Sequence, residues 1–221
     1  MTKIDLNQST KEEMSKHSRA ISSVVDAVGD ENKVSRAIGK LKQLQIAIPS
    51  WALGTGGTRF GRFPGGGEPS SLAQKIEDVA LLNRLNKSSS SISLHIPWDK
   101  AENIEELKKL AKSLDLSFDA VNSNTFQDQP NQSYSYKYGS LCHTDKEVRQ
   151  LAVNHNKEVI SIGENLGSKA LTVWLADGSI FPGQHDFKSA LNRTLDSLSE
   201  IYSSLPPDWT MLLEYKPYEP N

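Results

Sequence analysis

The chain has 221 residues, of which 37% are hydrophobic and 24% are charged, and its formal net charge is -2. Because basic residues are not in excess and the longest apolar runs are of strand length, far short of the roughly 20 residues of a membrane span, we expect neither nucleic-acid nor membrane partners. The single cysteine, Cys142, cannot form an intramolecular disulfide, and residues 1–14 lack the apolar segment of a signal peptide. These features predict a cytoplasmic protein.

Residues 10–45 are predicted to form two helices that precede the first strand. Ile21, Val24, Val25 and Val28 recur at helical spacing, Gly29-Asp30 interrupts the pattern, and a second run covers residues 34–44. We therefore interpret residues 1–45 as an N-terminal helical extension and residues 46–221 as the domain that carries the sheet.

The first predicted strand, residues 45–51, leads into a glycine-rich segment, residues 54–67, which also carries Arg59 and Arg62. Glycines permit positive φ and close approach of the backbone to a ligand. The segment has neither the Gly-Lys-Ser/Thr of a Walker loop nor the spacing of a dinucleotide fingerprint. It is either a surface loop or a mobile flap over a site.

From residue 70 onward the pattern alternates between helix and strand. Ser70 and Ser71 can cap a helix, Thr144 with Glu147 has the form of a capping box, and Gly167 is placed to end a helix. The predicted helices cover residues 72–85, 104–114, 145–166 and 187–205, and the predicted strands cover 92–99, 116–122, 170–175 and 210–214. In the last helix, Leu191, Leu195, Leu198 and Tyr202 or Ile201 recur on one face, which predicts an apolar stripe. Apolar strands that alternate with helices favour a parallel α/β sheet. The sheet is either an open five-stranded doubly wound sheet or the first part of an eight-stranded barrel.

Polar and aromatic side chains follow the predicted strands, where parallel α/β proteins place their chemistry. They are Trp51, His95, Trp98, Asp99, Asn122, Asn124, Phe126, Trp174, Asp177, Glu214 and Lys216. Aromatic rings that contact C–H surfaces, mixed with hydrogen-bonding groups that reach hydroxyls, favour a carbohydrate ligand. No zinc motif is visible, but Glu214 is a suitable ligand for Mg²⁺ or Mn²⁺, which needs further ligands.

Five ordered blocks resemble the metal-dependent L-rhamnose isomerase family of the broad-specificity bacterial type, within the xylose-isomerase-like barrels. The blocks are Ile48-Pro49-Ser50-Trp51 with residues 54–60, residues 93–99, residues 121–128, Phe181-Pro182-Gly183-Gln184 and residues 214–220. The resemblance implies an incomplete (β/α)8 TIM barrel of about five parallel β/α units. It also implies interconversion of aldose and ketose with two divalent ions, most often Mn²⁺, and a homotetramer for the full-length family member.

The resemblance assigns a role to each matching residue. Glu214 matches a metal-ligating carboxylate, Lys216 a substrate-contacting lysine and His95 a histidine near the reacting end of the sugar. Trp51, Phe126 and Trp174 match aromatic pocket walls, so His95 and Lys216 are the expected catalytic residues. Ala176 and Ile180 depart from the glycine and asparagine of the family pattern, and Ile180 removes a polar group near the site.

The family's other metal ligands lie on its sixth to eighth strands, beyond Asn221. We therefore expect an N-terminal portion that neither closes the barrel nor binds the metal pair alone, with no L-rhamnose turnover in Mn²⁺. We also expect unpaired edges on the first and fifth strands, prone to association. The alternative is a carbohydrate-binding or partner-completed half barrel without catalysis of its own.

Overall fold

The structure of the protein is a computed structural model, which describes residues 8–54, 67–175 and 186–215. Six helices and five strands are described, with one short 3-10 turn. In chain order they are α1 (Gln8–Val28), α2 (Glu31–Lys42), β1 (Ala47–Pro49), the 3-10 turn (Ser50–Ala52), α3 (Leu72–Asn86), β2 (Ser91–Ile96), α4 (Ile104–Ser113), β3 (Ser117–Ser123), α5 (Lys146–Leu166), β4 (Ala170–Leu175), α6 (Phe187–Tyr202) and β5 (Thr210–Tyr215).

The chain divides into two compact units, Met1–Leu44 and Gln45–Asn221. The first unit contains α1 and α2. Asp30 caps α2, because its carboxylate accepts the Lys33 N–H at 2.9 Å. The break predicted at Gly29-Asp30 is therefore the junction between the two helices. None of the described helices has the length and apolarity that a membrane crossing requires.

The second unit contains a five-stranded parallel sheet in the order β1-β2-β3-β4-β5, with each strand hydrogen-bonded to its neighbours in sequence. A helix connects each pair of consecutive strands. A doubly wound sheet requires a reversal of strand order, and the order here runs in one direction without reversal. The arrangement is an α/β fold consistent with a partial TIM barrel.

The two faces of the sheet differ in chemistry. Alternate strand residues pack with the helices in one hydrophobic core, and its buried strand members are Ile92, Leu94, Ile96, Phe118, Val121, Leu171 and Val173. Successive side chains of a strand point to opposite faces. The opposite face therefore carries Ser93, His95, Asn122, Thr172 and Trp174. The strands are therefore not apolar along their whole length, because hydroxyl, imidazole and amide groups lie on the face away from the helices.

Several local expectations need correction. The N-cap of α5 is Asp145, whose carboxylate accepts the Glu147 N–H at 2.9 Å, so Thr144 does not form the predicted capping box. Trp51 lies in the 3-10 turn rather than in a strand. Leu191 and Leu195 are 57% and 51% exposed, and of the predicted apolar stripe on α6 only the C-terminal half reaches the core.

Two predicted caps are confirmed. Ser71 accepts the Gln74 N–H at 3.2 Å and begins α3. Gly167 ends α5 at a φ of 86°, in the left-handed region that glycine adopts without steric cost. The start of α3 and the end of α5 could therefore be predicted from a short polar residue and a glycine. At the start of α5 the predicted cap was one residue away from the observed one.

Two strand edges have no partner in the described part of the chain. There β1 pairs only with β2, and β5 pairs only with β4. On β5, Leu212 and Leu213 are 46% and 44% exposed. An exposed edge strand with apolar side chains favours association with another strand. The predicted association of these edges stays a prediction.

Close packing between α5 and β3 leads to a test of the core. A Cβ added at Gly163 would lie 2.8 Å from Val121 Cγ2 and 2.6 Å from Trp209 Cη2. We expect Gly163→Ala to lower the free energy of unfolding by about 1–3 kcal/mol through overpacking, measured by urea denaturation. The matched control is Gly39→Ala in α2, where an added Cβ meets no atom within 4 Å. Alanine is the better helix former there, so equal losses in both variants would contradict the packing argument.

Candidate functional site

Neighbouring strands bring the candidate site residues to the same face and the same end of the sheet. His95 of β2 is the register partner of Asn122 of β3, and Trp174 of β4 is the register partner of Glu214 of β5. Register partners in a parallel sheet point to the same face. Since Asn122 also pairs with Thr172, two residues before Trp174, all four side chains belong to the polar face. This is the carboxyl end of the sheet, where barrels place their active sites.

Four aromatic rings surround His95. The Trp98 ring stacks on the imidazole with centroids 3.8 Å apart and an interplanar angle of 17°. The rings of Trp174, Trp51 and Phe126 present edge-to-face contacts to the imidazole at 5.0, 5.5 and 5.8 Å. Phe126 and Trp174 also stack on each other at 5.2 Å. The structure thus assembles the predicted pocket walls Trp51, Phe126 and Trp174 around the predicted catalytic histidine.

The buried imidazole of His95 has unused hydrogen-bonding capacity. The residue is fully buried, and neither ring nitrogen has a hydrogen-bond partner within the described ranges. Burial lowers the pKa of His95 to about 3, and the positive charges of His155 and Lys75 act in the same direction. The ring is therefore neutral at physiological pH, with one nitrogen able to donate and the other able to accept a hydrogen bond.

Asn122 fixes the orientation of one pocket wall. Its Nδ2 donates to the Leu94 carbonyl at 3.0 Å, and its Oδ1 accepts the Trp174 Nε1–H at 3.1 Å. The indole is therefore held through its polar end while its faces remain available for packing. Sequence reasoning placed Asn122 at a strand end, but it could not assign this partner.

A second histidine, His155 of α5, lies behind the site and was missed by sequence reasoning. Its Nε2 lies 3.2 Å from both the Asn124 amide nitrogen and the Ile96 carbonyl oxygen, and its Nδ1 lies 3.7 Å from Glu158 Oε2. Nε2 accepts from the Asn124 N–H in one tautomer and donates to the Ile96 carbonyl in the other. Burial lowers the pKa of His155, although Glu158 opposes the effect. The only sequence signal that could have drawn attention to it is a histidine next to an asparagine in the middle of a predicted helix.

Asp99 is a buried carboxylate at this end of the sheet and is 3% exposed. Its Oδ1 accepts the Lys75 ammonium at 2.9 Å, and the Lys75 and Asp99 side chains are 9% and 1% exposed. Its Oδ2 accepts a hydrogen bond from the backbone N–H of His95 at 2.8 Å and another from the Ser50 hydroxyl. Lys75 was missed by sequence reasoning, because a lysine inside an amphipathic helix is ordinarily solvated.

Glu214 has a carboxylate suited to a hard divalent ion, but the described residues supply no complete set of ligands with it. It lies on the polar face beside Trp174 and is exposed. Within the described ranges no group of three or more His, Cys, Asp or Glu side chains could hold an ion. These residues do not make up a complete metal site, because Mg²⁺ and Mn²⁺ need several oxygen or nitrogen ligands.

Several predicted site residues lie outside the described residues. They are Lys216, Asp177, Ala176, Ile180, Arg59 and Arg62. Lys216 follows Glu214 by two positions, which is the spacing of one face in an extended chain. Its assigned role remains a prediction.

Two cavities lie near this end of the sheet, and the larger one borders the aromatic group through Trp98. One, of about 750 Å³, is lined by Trp98, Asp99 and the N-terminal turns of α3 and α4. The other, of about 360 Å³, is lined by Pro97, Asn124, His155 and side-chain amides of the loop that follows β3. Trp98 thus separates His95 from the larger cavity, since it stacks on the imidazole and also lines that space.

Two curated relatives are similar to most of this chain. A probable sugar isomerase of Rhizobium meliloti (strain 1021) is 52% identical over 181 residues, and one of Mesorhizobium japonicum (strain LMG 29417 / CECT 9101 / MAFF 303099) is 54% identical over 181 residues. The aligned region covers 82% of this chain and 42% of each relative. The chain therefore spans less than half the length of these relatives. No protein-family profile matches it.

Solved structures show the same fold at low sequence identity. A D-tagatose 3-epimerase-like protein superposes with a TM-score of 0.55 at 16% identity. The superposed region covers 79% of this chain and 54% of the epimerase-like chain. An L-ribulose 3-epimerase superposes with a TM-score of 0.51 at 17% identity, covering 77% of this chain and 49% of its own. At this level of identity the likeness concerns the fold, a partial TIM barrel.

Proposed function

We propose that this chain provides the sugar-binding part of an aldose–ketose isomerase that acts on L-rhamnose and related sugars. The observation that carries the proposal is the neutral imidazole of His95 inside a box of four aromatic rings at the carboxyl end of the sheet. Two relatives named probable sugar isomerase, more than 50% identical over the aligned region, support the reaction class.

The box suits a small polyhydroxylated ligand. Indole and phenyl faces contact the C–H surfaces of a sugar, and the imidazole reaches a hydroxyl. A sugar hydroxyl donates one hydrogen bond and accepts others, so it complements a neutral histidine that has one donor and one acceptor nitrogen. An imidazolium would offer only donors. The depressed pKa of His95 therefore favours a hydroxyl ligand over an anionic one.

The proposed roles within the reaction follow from position. His95 would bind the sugar hydroxyl near the reacting carbon and could accept its proton as a general base. Lys216, two residues beyond Glu214 in the sequence, would contact the same sugar, as the family resemblance implies. Trp51, Phe126 and Trp174 would fix the ring of the substrate and exclude water from it.

We include a divalent ion, Mn²⁺, in the proposal for the whole enzyme, with Glu214 as one of its ligands. Such an ion would supply Lewis-acid polarisation of the two substrate oxygens. The described residues offer this one carboxylate and no group of three ligands, so they do not fit a complete site.

We expect the 221-residue chain to bind L-rhamnose without converting it. Binding should change tryptophan fluorescence, because three of the four tryptophans line the box. His95→Gln should weaken the apparent affinity by about tenfold through loss of a buried hydrogen bond. Conversion is assayed by formation of the ketose in Mn²⁺.

Two results would count against this proposal. If L-rhamnose, the matching ketose and related aldoses all leave the fluorescence unchanged, the box is not a sugar site. If the isolated chain converts L-rhamnose at a substantial rate, the expectation that the described residues lack a complete catalytic set is wrong. The matched control is Trp209→Phe. Trp209 packs against the helix-facing core, so this substitution should leave the sugar affinity unchanged.

A further inference from the structure

The carboxylate of Asp99 connects β2, which carries His95, to the 3-10 turn that carries Trp51. Its Oδ2 accepts the hydroxyl hydrogen of Ser50, the residue directly before Trp51, and also the backbone N–H of His95 at 2.8 Å. The Asp99 N–H in turn donates to the His95 carbonyl at 2.9 Å. Asp99 therefore holds the main chain of His95 from both sides and ties it to the turn that carries Trp51.

The second carboxylate oxygen is held from a helix. Oδ1 of Asp99 accepts from Lys75 Nζ at 2.9 Å, and both side chains are at least nine-tenths buried. A buried ion pair is weak evidence for stability, because two apolar residues of similar volume often stabilise a core equally well. Its placement is more informative, since the carboxylate must be ionised and correctly oriented to accept all three hydrogen bonds.

We propose that Asp99 is a positioning residue that sets the distance between His95 and Trp51, and that Lys75 orients and neutralises its carboxylate. This inference rests on the proposed sugar-binding function of the aromatic box. The ring centroids of Trp51 and His95 lie 5.5 Å apart at an interplanar angle of 78°. The register of β1 and β2 ends with the pair Pro49 and Ser93. Asp99 supplies the link above the last paired residues.

Two charge-neutral double variants separate positioning from charge. In Lys75→Met/Asp99→Asn, the amide oxygen of asparagine can accept from Ser50 and His95 in place of Oδ2. In Lys75→Met/Asp99→Ala, both donors lose their acceptor. We expect L-rhamnose to bind about tenfold more tightly to the asparagine variant than to the alanine variant. Ser50→Ala, which removes one donor only, should weaken binding by about threefold.

A second measurement does not require sugar. The Hε1 proton of His95 lies in the ring-current field of the stacked Trp98 and the surrounding edges, so its chemical shift reports the geometry of the box. We expect this resonance to move in Ser50→Ala and in the alanine double variant, and to move less in the asparagine variant. Ser197→Ala is the matched control, because its buried hydroxyl bonds the Leu141 carbonyl at 2.9 Å outside the box.

The outcomes distinguish the inference from the function on which it rests. Equal sugar affinity and an unmoved His95 resonance in the alanine and asparagine variants would overturn the positioning role. A resonance that moves as expected in a protein that binds no sugar would support the positioning role and overturn the proposed function. A resonance that moves equally in Ser197→Ala would also contradict the inference, since the response would then be general to buried serines.

Discussion

Lys75→Met is expected to lower the free energy of unfolding by about 3–5 kcal/mol, because it leaves the Asp99 carboxylate buried without its counter-charge. Lys75 Nζ lies 2.9 Å from Asp99 Oδ1, and the two side chains are only 9% and 1% exposed to solvent. The two remaining hydrogen bonds, from Ser50 and His95, stabilise a charge only in part. Urea denaturation followed by tryptophan fluorescence measures the change.

Two controls frame this result. Lys169→Met removes the Lys169–Asp208 pair, which has the shorter separation of 2.7 Å but side chains that are 72% and 60% exposed. Because solvent screens such a pair, this variant should remain close to the wild type. Lys75→Met/Asp99→Asn removes both charges, keeps an acceptor for Ser50 and His95, and should recover most of the lost stability. If the single variant and the Lys169 control lose equal stability, burial does not govern the energy of the pair.

The pattern of strands and helices could be predicted because each element carries its own local signal. Helix-facing strand residues such as Ile92, Leu94 and Ile96 are apolar, and caps such as Ser71 mark helix starts. A parallel sheet follows from this alternation. The choice between a doubly wound sheet and a barrel could not be made from the same pattern. Strand order depends on which neighbours pair in space, and only the structure shows the sequential order.

The candidate site was predictable in its membership but not in its connections. Strand-end positions named Trp51, His95, Phe126 and Trp174, and the structure brings these four together. The residues that hold them in place were not identified. Lys75 reaches Asp99 across 24 positions and Ser50 reaches it across 49, and no local pattern encodes such a contact.

The misplaced apolar stripe of α6 has a related cause. Helical periodicity predicts that Leu191 and Leu195 face the same core as Leu198, yet they are more than half exposed whereas Leu198 is buried. A periodic stripe indicates that a surface is apolar without identifying what covers it. On β5, Leu212 and Leu213 are exposed in the same way.

As pH falls, the folded chain should begin to lose stability at a higher pH than carboxylate titration alone predicts, and His95 should be a main cause. In the unfolded chain the imidazole gains a proton as pH falls below its ordinary pKa of 6.5, whereas burial holds the pKa of the folded His95 near 3. The unfolded state then binds more protons, so the free energy of unfolding falls with pH over this window. At about 1.4 kcal/mol for each pH unit, the loss attributable to His95 is about 2–3 kcal/mol at pH 4.5.

A variant without the imidazole separates this contribution from the others. His95→Gln cannot be protonated, so its free energy of unfolding should fall less steeply between pH 6.5 and 4.5 than that of the wild type. Part of the slope should remain, because burial also lowers the pKa of His155. Carboxylates such as Glu158, whose pKa is lowered by Lys100, lose their contribution only below about pH 4.5. Urea denaturation at several pH values tests the expectation, and identical slopes for the two proteins would show that His95 is accessible to protons in the folded state.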